Sequence, residues 1–323
     1  MRAGLALLAL LAVCDGASSA PKASTERLVL VADVSLPGKA VRFDYQDVDS
    51  SAKRLFIAHM NDASVVVVST VDGSLLKVIP GIPTPRGIVV AADAKRVFVT
   101  SSPSQLVIID SESLNELAQV TTGHSPDGVA WDSLHRVVGV SDQGDGALSL
   151  IADSGTGARK HVALGRETGN VLFDPTRSTF WITVVEASGP DRLVSVDPLT
   201  AKEVARIPLP GCLGAHGLRL HPDSQSALVA CEGNSKVARV TLDGERAVTL
   251  ARSGSNPDVL AVDAHCDRKD GDRPSGDGLA DSCSSPDRPV RNSAAHLSSH
   301  WANPPAGQCW THYFHRQRRR FRS

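Results

Sequence analysis

The sequence predicts an all-β fold, a β-propeller built from four-stranded blades, on three observations. A short phrase ending in an Asp-containing turn returns along the chain at a spacing close to 43 residues. That spacing lies in the range of a four-stranded propeller blade. Between successive phrases lie short runs rich in β-branched residues, without the apolar spacing of three to four residues that would indicate helices.

The repeated phrase marks the inner strand of each blade. It begins at Tyr45 as YQDVD and returns as GIVVAAD, GVAWD, NVLFD, GLRLHPD and VLAVD. The starting residues are 42, 41, 42, 47 and 42 positions apart. At the end of each phrase, an Asp side chain is expected to bond the backbone two residues further on, at Asp49, Asp93, Asp132, Asp174 and Asp223.

Three more strands are expected after each phrase. The second strands are RLFIAH, RVFVTS, RVVGVSD, TFWITVVE and SALVACE, and the third are SVVVVST, QLVIID, ALSLIAD, RLVSVD and KVARVTL. The outer strands are LLKVI, ELAQV, KHVAL, EVARI and AVTLA. The sequence therefore predicts five full blades and, from Val259, the truncated start of a sixth.

The first twenty residues have the pattern of a secretory signal peptide. Arg2 is followed by the apolar run GLALLALLAV and the small, polar stretch GASSA, with cleavage expected near Ser18 to Ala20. We therefore expect a periplasmic or secreted protein with no membrane span after signal removal, since the apolar run is too short to cross a bilayer. Lipidation at Cys14 is left open, because Val13 stands where a lipoprotein signal has a small residue.

Residues 27–264 are expected to form the propeller, whereas residues 265–323 differ in composition. Their only Leu, Ile or Val residues are Leu279, Val290 and Leu297. Such a segment cannot bury enough apolar surface to offset its ordering entropy, which predicts a disordered tail. Because the break falls inside the first strand of a blade, the segment is also interpreted as an out-of-frame continuation of a seven-bladed parent. Both interpretations stay open.

Charge and cysteine content limit the possible partners. A formal net charge of −1 gives no electrostatic reason to expect nucleic acid as a partner. Cys212 and Cys231 are the two cysteines within the repeats, and whether they form a disulfide is left open. No cysteine pair has the spacing of zinc ligands.

The segment RVFVTS, followed by QLVIID, resembles the YVTN-type β-propeller repeat family, which includes the YncE-like exported bacterial proteins. The resemblance covers roughly Arg27 to Asp263 and rests on five full repetitions. Ser101 and His59 stand where the repeat often has Asn, and the loop EASGPDR is longer than usual. The resemblance implies the fold, and no ligand residue is carried over from it.

In a propeller, the loops that lead into the inner strands converge on one face. On that face we expect six candidate ligand- or metal-binding residues, namely Asp44, Arg86, Asp127, Glu167, His216 and Asp258. Carboxylates and imidazoles can hold a divalent cation, which is the one cofactor considered. Loop aspartates also commonly shape turns instead. The loops after the second strands offer a second set of polar residues, including His59, Asp142 and Glu186.

Two functions are compatible with these residues. One is a binding or scaffolding module for a small molecule, an ion or a protein partner at the funnel. The other is a metal-dependent hydrolase, as a resemblance to propeller lactonases suggests. The sequence contains no G-x-S-x-G, P-loop or H-E-x-x-H motif, so the prediction favours the module without settling whether the protein is an enzyme.

Overall fold

A computed structural model describes residues 33–39, 41–244 and 246–262, and the backbone of residues 311–315. Five four-stranded antiparallel sheets follow one another, and each strand pairs with its neighbours in sequence. The predicted fold class is therefore confirmed, and the chain is a β-propeller.

The strands of the first three blades lie close to their predicted positions. Blade 1 contains β1 (Gln46–Asp49), β2 (Arg54–His59), β3 (Ser64–Ser69) and β4 (Leu75–Pro80). Blade 2 contains β5 (Pro85–Ala91), β6 (Arg96–Ser101), β7 (Gln105–Asp110) and β8 (Glu116–Thr121). Blade 3 contains β9 (Pro126–Asp132), β10 (Val137–Asp142), β11 (Ala147–Ala152) and β12 (Lys160–Ala163).

The next two blades repeat the pattern. Blade 4 contains β13 (Glu167–Asp174), β14 (Thr179–Val185), β15 (Arg192–Val196) and β16 (Glu203–Pro208). Blade 5 contains β17 (Ala215–Leu220), β18 (Ser226–Cys231), β19 (Lys236–Thr241) and β20 (Val248–Arg252). A further inner strand, β21 (Pro257–Val262), pairs with β22 (Thr311–His315).

The core lies between successive blades, so both faces of the middle strands are buried. On β2, Phe56 packs toward blade 2, whereas Leu55 and Ile57 pack on the opposite face. On β6, Val97 and Val99 face blade 1 and Phe98 faces blade 3. A strand buried on both faces is apolar at nearly every position, which explains runs such as SVVVVS. Each fully buried side chain of this size stabilises the fold by about 1.5–3 kcal/mol.

Aspartate turns end the inner strands as predicted, with one exception. The Asp49 carboxylate accepts the Ser51 N–H at 3.0 Å, and equivalent bonds form at Asp132, Asp174 and Asp223. Asp93 instead accepts the indole N–H of Trp131 at 2.8 Å, and a 3₁₀ turn closes there through the backbone.

Recurring glycines let the inner strands approach one another. A Cβ atom on Gly87 or Gly217 would collide with the carbonyl oxygen of Asp127 or Asp258, respectively, on the next blade. A Cβ on Gly128 would lie 2.7 Å from Asn170 Oδ1, and one on Gly169 would lie 2.7 Å from the His216 Cα. Because no side chain separates these strands, the residue before each glycine is held near the centre of the molecule.

The predicted signal peptide (residues 1–20) and most of the segment 265–323 lie outside the described residues, so those predictions stay predictions. Within that segment, the backbone of Thr311–His315 pairs antiparallel with β21. In the described ranges, no helix is both long and apolar enough to cross a membrane.

Candidate functional site

The predicted site residues converge where the inner strands begin. The residue before each recurring glycine is Arg86 in blade 2, Asp127 in blade 3, Thr168 in blade 4 and His216 in blade 5. Asp44 and Asp258 occupy the corresponding places ahead of β1 and in β21. We call Asp44, Arg86, Asp127, His216 and Asp258, with Arg42, the central cluster.

Arg86 links the first three blades. Its Nε lies 3.0 Å from Asp127 Oδ1 and 3.9 Å from Asp44 Oδ2. Its Nη1 donates a hydrogen bond to Gln143 Oε1 at 2.9 Å. Arg42 Nη2 lies 3.2 Å from the same Asp44 oxygen. Two guanidinium groups therefore balance the carboxylates on this half of the cluster.

His216 joins blades that are not neighbours. Its Nε2 lies 3.2 Å from Asp127 Oδ2, on blade 3, and 3.2 Å from Asp258 Oδ1, on β21. Because Asp127 and His216 belong to the third and fifth blades, they meet across the centre of the molecule. The cluster thus ties blades 1, 2, 3 and 5 and the start of the sixth together.

Three buried atoms of the cluster, Asp127 Oδ2, Asp258 Oδ1 and Arg86 Nε, have ion-pair contacts at 3.0–3.2 Å without a well-aligned hydrogen bond among the described residues. A single imidazole N–H cannot point at two carboxylates at once, so His216 leaves both with unfilled acceptor capacity. Buried polar groups are almost always paired, by protein, water or ligand. Here the partners are the ion pairs of Asp127 with Arg86 and of Asp127 and Asp258 with His216.

Burial and charge shift the pKa values of the cluster in different directions. Burial and the nearby charge of Asp127 raise the pKa of Asp44 to about 7. Burial would raise the pKa of Asp127 too, but Arg86 and His216 outweigh it and hold that pKa at about 2. Burial works against a charge on His216, yet contact with Asp127 and Asp258 raises its pKa well above the ordinary value. Perturbed pKa values of this kind occur at functional sites and in structural ion-pair networks.

Glu167 lies at the rim rather than in the cluster. Its side chain is 35% exposed and contacts Arg166 at 3.4 Å. Gln143 Nε2 donates to Glu167 Oε1 at 3.0 Å, so Glu167 is connected to Arg86 through one amide. The place equivalent to Arg86 in blade 4 is taken by Thr168, which is buried and donates to the Ala147 carbonyl at 3.2 Å.

The arrangement of side chains does not fit a divalent cation. In the part of the chain that the structure describes, no group of three or more His, Cys, Asp or Glu side chains is placed to hold a metal ion. Arg86 and His216 already stand between the carboxylates that a metal would need. The positive charge expected among these carboxylates is therefore supplied by the protein itself.

Residues at the ends of the second strands fix the loops around the cluster. His59 Nε2 lies 3.0 Å from the Lys39 carbonyl, and Ser101 Oγ donates to the Pro83 carbonyl. Asp142 Oδ1 accepts the Gly123 N–H at 2.8 Å. In blade 5, a disulfide between Cys212 and Cys231 takes the same place, and both cysteines are buried. In these four blades, a residue at the end of the second strand ties down the loop that leads into the inner strand.

The other residue named in the second set, Glu186, lies at the long loop of blade 4. Its Oε1 contacts Arg192 at 3.0 Å and Arg206 at 2.8 Å. Neither arginine belongs to the central cluster. His59 and Asp142 hold loops in place, and Glu186 pairs with two arginines outside the cluster, so the contacts of all three residues are structural.

Sequence reasoning missed three residues of the site: Arg42, Tyr45 and Gln143. Arg42 and Tyr45 flank Asp44, and Gln143 follows the second strand of blade 3. The repeat gives no signal for them because the corresponding places in other blades hold different residue types. The signal for the cluster itself is the residue–Gly pair that recurs at Arg86-Gly87, Asp127-Gly128 and His216-Gly217.

Comparison with known proteins supports the fold and leaves the family unassigned. No described protein family matches the sequence, and no curated protein does. Among solved structures, hydrazine synthase from Kuenenia stuttgartiensis is similar with a TM-score of 0.60 and 15% identity, over 66% of this chain and 68% of that one.

Two further structures have the same architecture. A catalytically inactive virginiamycin B lyase from Staphylococcus aureus, with quinupristin, has a TM-score of 0.59 and 11% identity over 71% of this chain and 77% of its own. A chain of a nidogen/laminin complex has a TM-score of 0.53 and 13% identity over 66% and 82%. At these identities the likeness shows the fold alone.

Proposed function

We propose that this protein is an exported binding module that holds a small polar ligand at the central cluster. One observation carries the proposal. The charged side chains of Asp44, Arg86, Asp127, His216 and Asp258 converge where the inner strands begin, and those of Arg86, His216 and Asp258 each keep 12% of their surface exposed. Concave sites with a few convergent polar groups are the usual binding places in such folds.

Export is part of the proposal and has two supports. The first twenty residues have the pattern of a secretory signal, with Arg2 ahead of an apolar run. The disulfide between Cys212 and Cys231 is of the kind that persists in oxidising compartments such as the periplasm or the extracellular space. The resemblance of the repeat sequence to the YVTN type agrees with the same location and is part of the proposal.

No observation at the central cluster supports the alternative function, a metal-dependent hydrolase of the lactonase type. Metal-assisted hydrolysis needs an ion that polarises a carbonyl or activates water. The carboxylates of the cluster face arginine and imidazole rather than one another, so they do not form a set of metal ligands. No residue of the central cluster is therefore assigned a catalytic role.

The proposal is tested by a thermal-shift screen of the full-length mature chain with sugars, polyols, amino acids, polyamines, calcium, zinc and manganese. A ligand at one hundred times its Kd stabilises the folded state by about 2.7 kcal/mol. The shift should disappear in the double variant Asp127→Asn, Asp258→Asn, which keeps side-chain size and removes both acceptor charges. Glu112→Gln is the matched control, because Glu112 is exposed and lies in the turn before the outer strand of blade 2.

Circular dichroism of the double variant must show that its blades are still folded. A screen without any stabilising compound would count against the proposal. So would a compound that shifts the wild type and the folded double variant equally, because its binding would not involve the cluster.

A further inference from the structure

We propose a second binding site, separate from the central cluster, that takes a small carboxylate with an apolar body. The site is a cavity of about 340 Å³ between the ends of three successive inner strands. Its walls are formed by Leu172, Phe173, Arg219, Leu220, Ala261 and Val262, from β13, β17 and β21. We call this cavity the distal pocket. It shares no residue with the central cluster.

The distal pocket and the central cluster lie toward opposite ends of the same strands. His216 and Asp258 are the second residues of β17 and β21, whereas Arg219 and Ala261 are the fifth. Three residues of extended strand separate the members of each pair, a distance of about 10 Å. A ligand in the distal pocket therefore leaves the ion pairs of the cluster in place.

Five of the six wall residues are apolar, and packing between the blades holds them in place. Leu172 and Leu220 pack against the core between blades 4 and 5, and Val262 packs against the buried face of blade 5. Phe173 packs on Phe180, with ring centroids 5.3 Å apart. All five are only partly buried, so apolar surface remains exposed in the cavity. A preformed, mostly apolar cavity of this size is typical of small-molecule sites.

Arg219 is the charged residue of the wall. Its Nε donates to the Leu260 carbonyl at 2.8 Å, which holds the guanidinium beside β21. Arg219 is exposed, and among the described residues its two Nη groups have no hydrogen-bond partner. An arginine held by one hydrogen bond, with two nitrogen donors left over, can bind an anion.

Acidic side chains of the described residues do not pair with Arg219. Asp174 and Asp223, which follow the wall residues along the chain, each form an ion pair with another arginine. Asp47 occupies the place in blade 1 that corresponds to Arg219 in blade 5, and its carboxylate accepts the Val90 N–H at 2.8 Å. The charge of Arg219 acts on Asp47 without an ion pair between the two. A ligand carboxylate can therefore supply the missing counter-ion.

These features match a carboxylate with an apolar body better than a neutral or cationic compound. A carboxylate accepts from two N–H groups of one guanidinium, and such bonds are strong because both partners are charged. The apolar body covers the five apolar wall residues and removes their surface from water. A cation would face Arg219 with the same sign of charge, and a neutral compound would lack the charge-assisted bonds.

The test compares three compounds that share a phenylpropyl body and differ in charge: 3-phenylpropionate (anionic), 3-phenylpropan-1-ol (neutral) and 3-phenylpropylamine (cationic). Binding to the full-length mature chain is measured by calorimetric titration at neutral pH. We expect 3-phenylpropionate to bind about tenfold more tightly than the alcohol, and the amine to bind most weakly. Acetate, which has the charge without the apolar body, should bind at least about tenfold more weakly than 3-phenylpropionate.

Two variants test whether the ligand lies in the distal pocket. Arg219→Gln removes the charge, so 3-phenylpropionate should bind about as weakly as the alcohol, whose own affinity should stay unchanged. Ala261→Leu adds volume to the wall and should weaken the binding of all three compounds. Arg252→Gln is the matched control, because Arg252 is an exposed arginine on the outer strand of blade 5. It should leave the affinity for 3-phenylpropionate at the wild-type value.

Circular dichroism must show that each variant is folded, and Arg219→Gln decides alone if Ala261→Leu is not. The inference is wrong if the alcohol binds as tightly as 3-phenylpropionate, or if none of the compounds binds. It also fails if folded Arg219→Gln keeps the wild-type affinity for 3-phenylpropionate, since the carboxylate then lies elsewhere. The double variant at the central cluster leaves Arg219 in place, so the proposed function and this inference can fail independently.

Discussion

At the scale of single residues, Asp44 makes the stability of the protein depend on pH. Its pKa is about 7 in the folded chain because of burial and the charge of Asp127, with Asp258 adding to the rise and Arg42 and Arg86 opposing it. A carboxyl whose pKa rises on folding stabilises the fold below its unfolded pKa of about 3.9, and this contribution is lost as the pH rises through the folded pKa. The raised pKa of His216 acts in the same direction.

We expect the free energy of unfolding to fall by on the order of a few kcal/mol between pH 4 and pH 8, and Asp44→Asn to remove much of that fall. The amide stands for the protonated carboxyl, so the variant should be more stable than the wild type at pH 8. Urea unfolding at pH 4, 6 and 8 measures both effects. Identical pH profiles for the wild type and the variant would show that Asp44 is not the titrating group.

How much of the site could be predicted also depends on particular residues. Asp44, Arg86, Asp127, His216 and Asp258 were predicted because the repeat places them at the start of the inner strands. Their contacts could not be predicted, since contacts depend on side-chain directions that a repeat does not specify. The repeat also gave no sign that Arg86 and His216 balance the carboxylates from within the protein.

The position of Glu167 shows a limit of prediction from the repeat. Strand β13 has eight residues, whereas β5 and β9 have seven. Its pairing with β14 shifts register between Thr168 and Val171. The inner strands β5, β9 and β17 have equivalent shifts, so the shift does not distinguish blade 4. Thr168, which precedes Gly169, takes the place equivalent to Arg86, and Glu167 lies one residue earlier, at the rim.

At the scale of elements, the strands could be predicted almost completely from the repeat. The second strands RLFIAH and RVFVTS correspond residue for residue to β2 and β6. This accuracy has two physical causes: strands buried on both faces are apolar throughout, and Asp turns mark where the inner strands end. The partner of β21 could not be predicted, because THYFH has no equivalent in the repeat.

The close approach of inner strands makes their glycines sensitive to substitution. In Gly217→Ala, the added Cβ would collide with the Asp258 carbonyl, which belongs to a backbone and cannot rotate away. We expect a loss of about 1–3 kcal/mol of stability, the usual range for overpacking. Chemical denaturation measures the loss, and calorimetric titration should show weaker ligand binding, since His216 and Asp258 are forced apart.

Gly254→Ala is the matched control, because a Cβ there has no heavy atom within 4 Å. It should be close to neutral in both measurements. Equal stability of the two variants would show that β17 and β21 are not packed as closely as the structure has them.

At the scale of the whole molecule, five full blades and a sixth inner strand agree with the repeat count, and the fold could be predicted because blade length is uniform. The number of blades in a parent protein, and the nature of residues 265–323, stay predictions. The repeat could not predict that two kinds of contact join the blades. Neighbouring blades pack through apolar side chains, and the central cluster connects blades that are not neighbours.

Because the central cluster connects several blades, a substitution in it should lower the local stability of strands in other blades as well as in its own. Arg86 lies on β5, but its removal leaves the Asp44 and Asp127 carboxylates of blades 1 and 3 without their shared cation. In Arg86→Gln we therefore expect faster amide hydrogen exchange in β1, β9, β17 and β21 as well as in β5.

Arg54→Gln is the matched control, because Arg54 contacts the Ser111 and Glu112 carbonyls and joins only blades 1 and 2. Its effect should stay within those two blades. Hydrogen exchange read by mass spectrometry, strand by strand, distinguishes the two patterns. An Arg86→Gln effect confined to β5 and its immediate neighbours would mean that the cluster occupies the centre without coupling the blades.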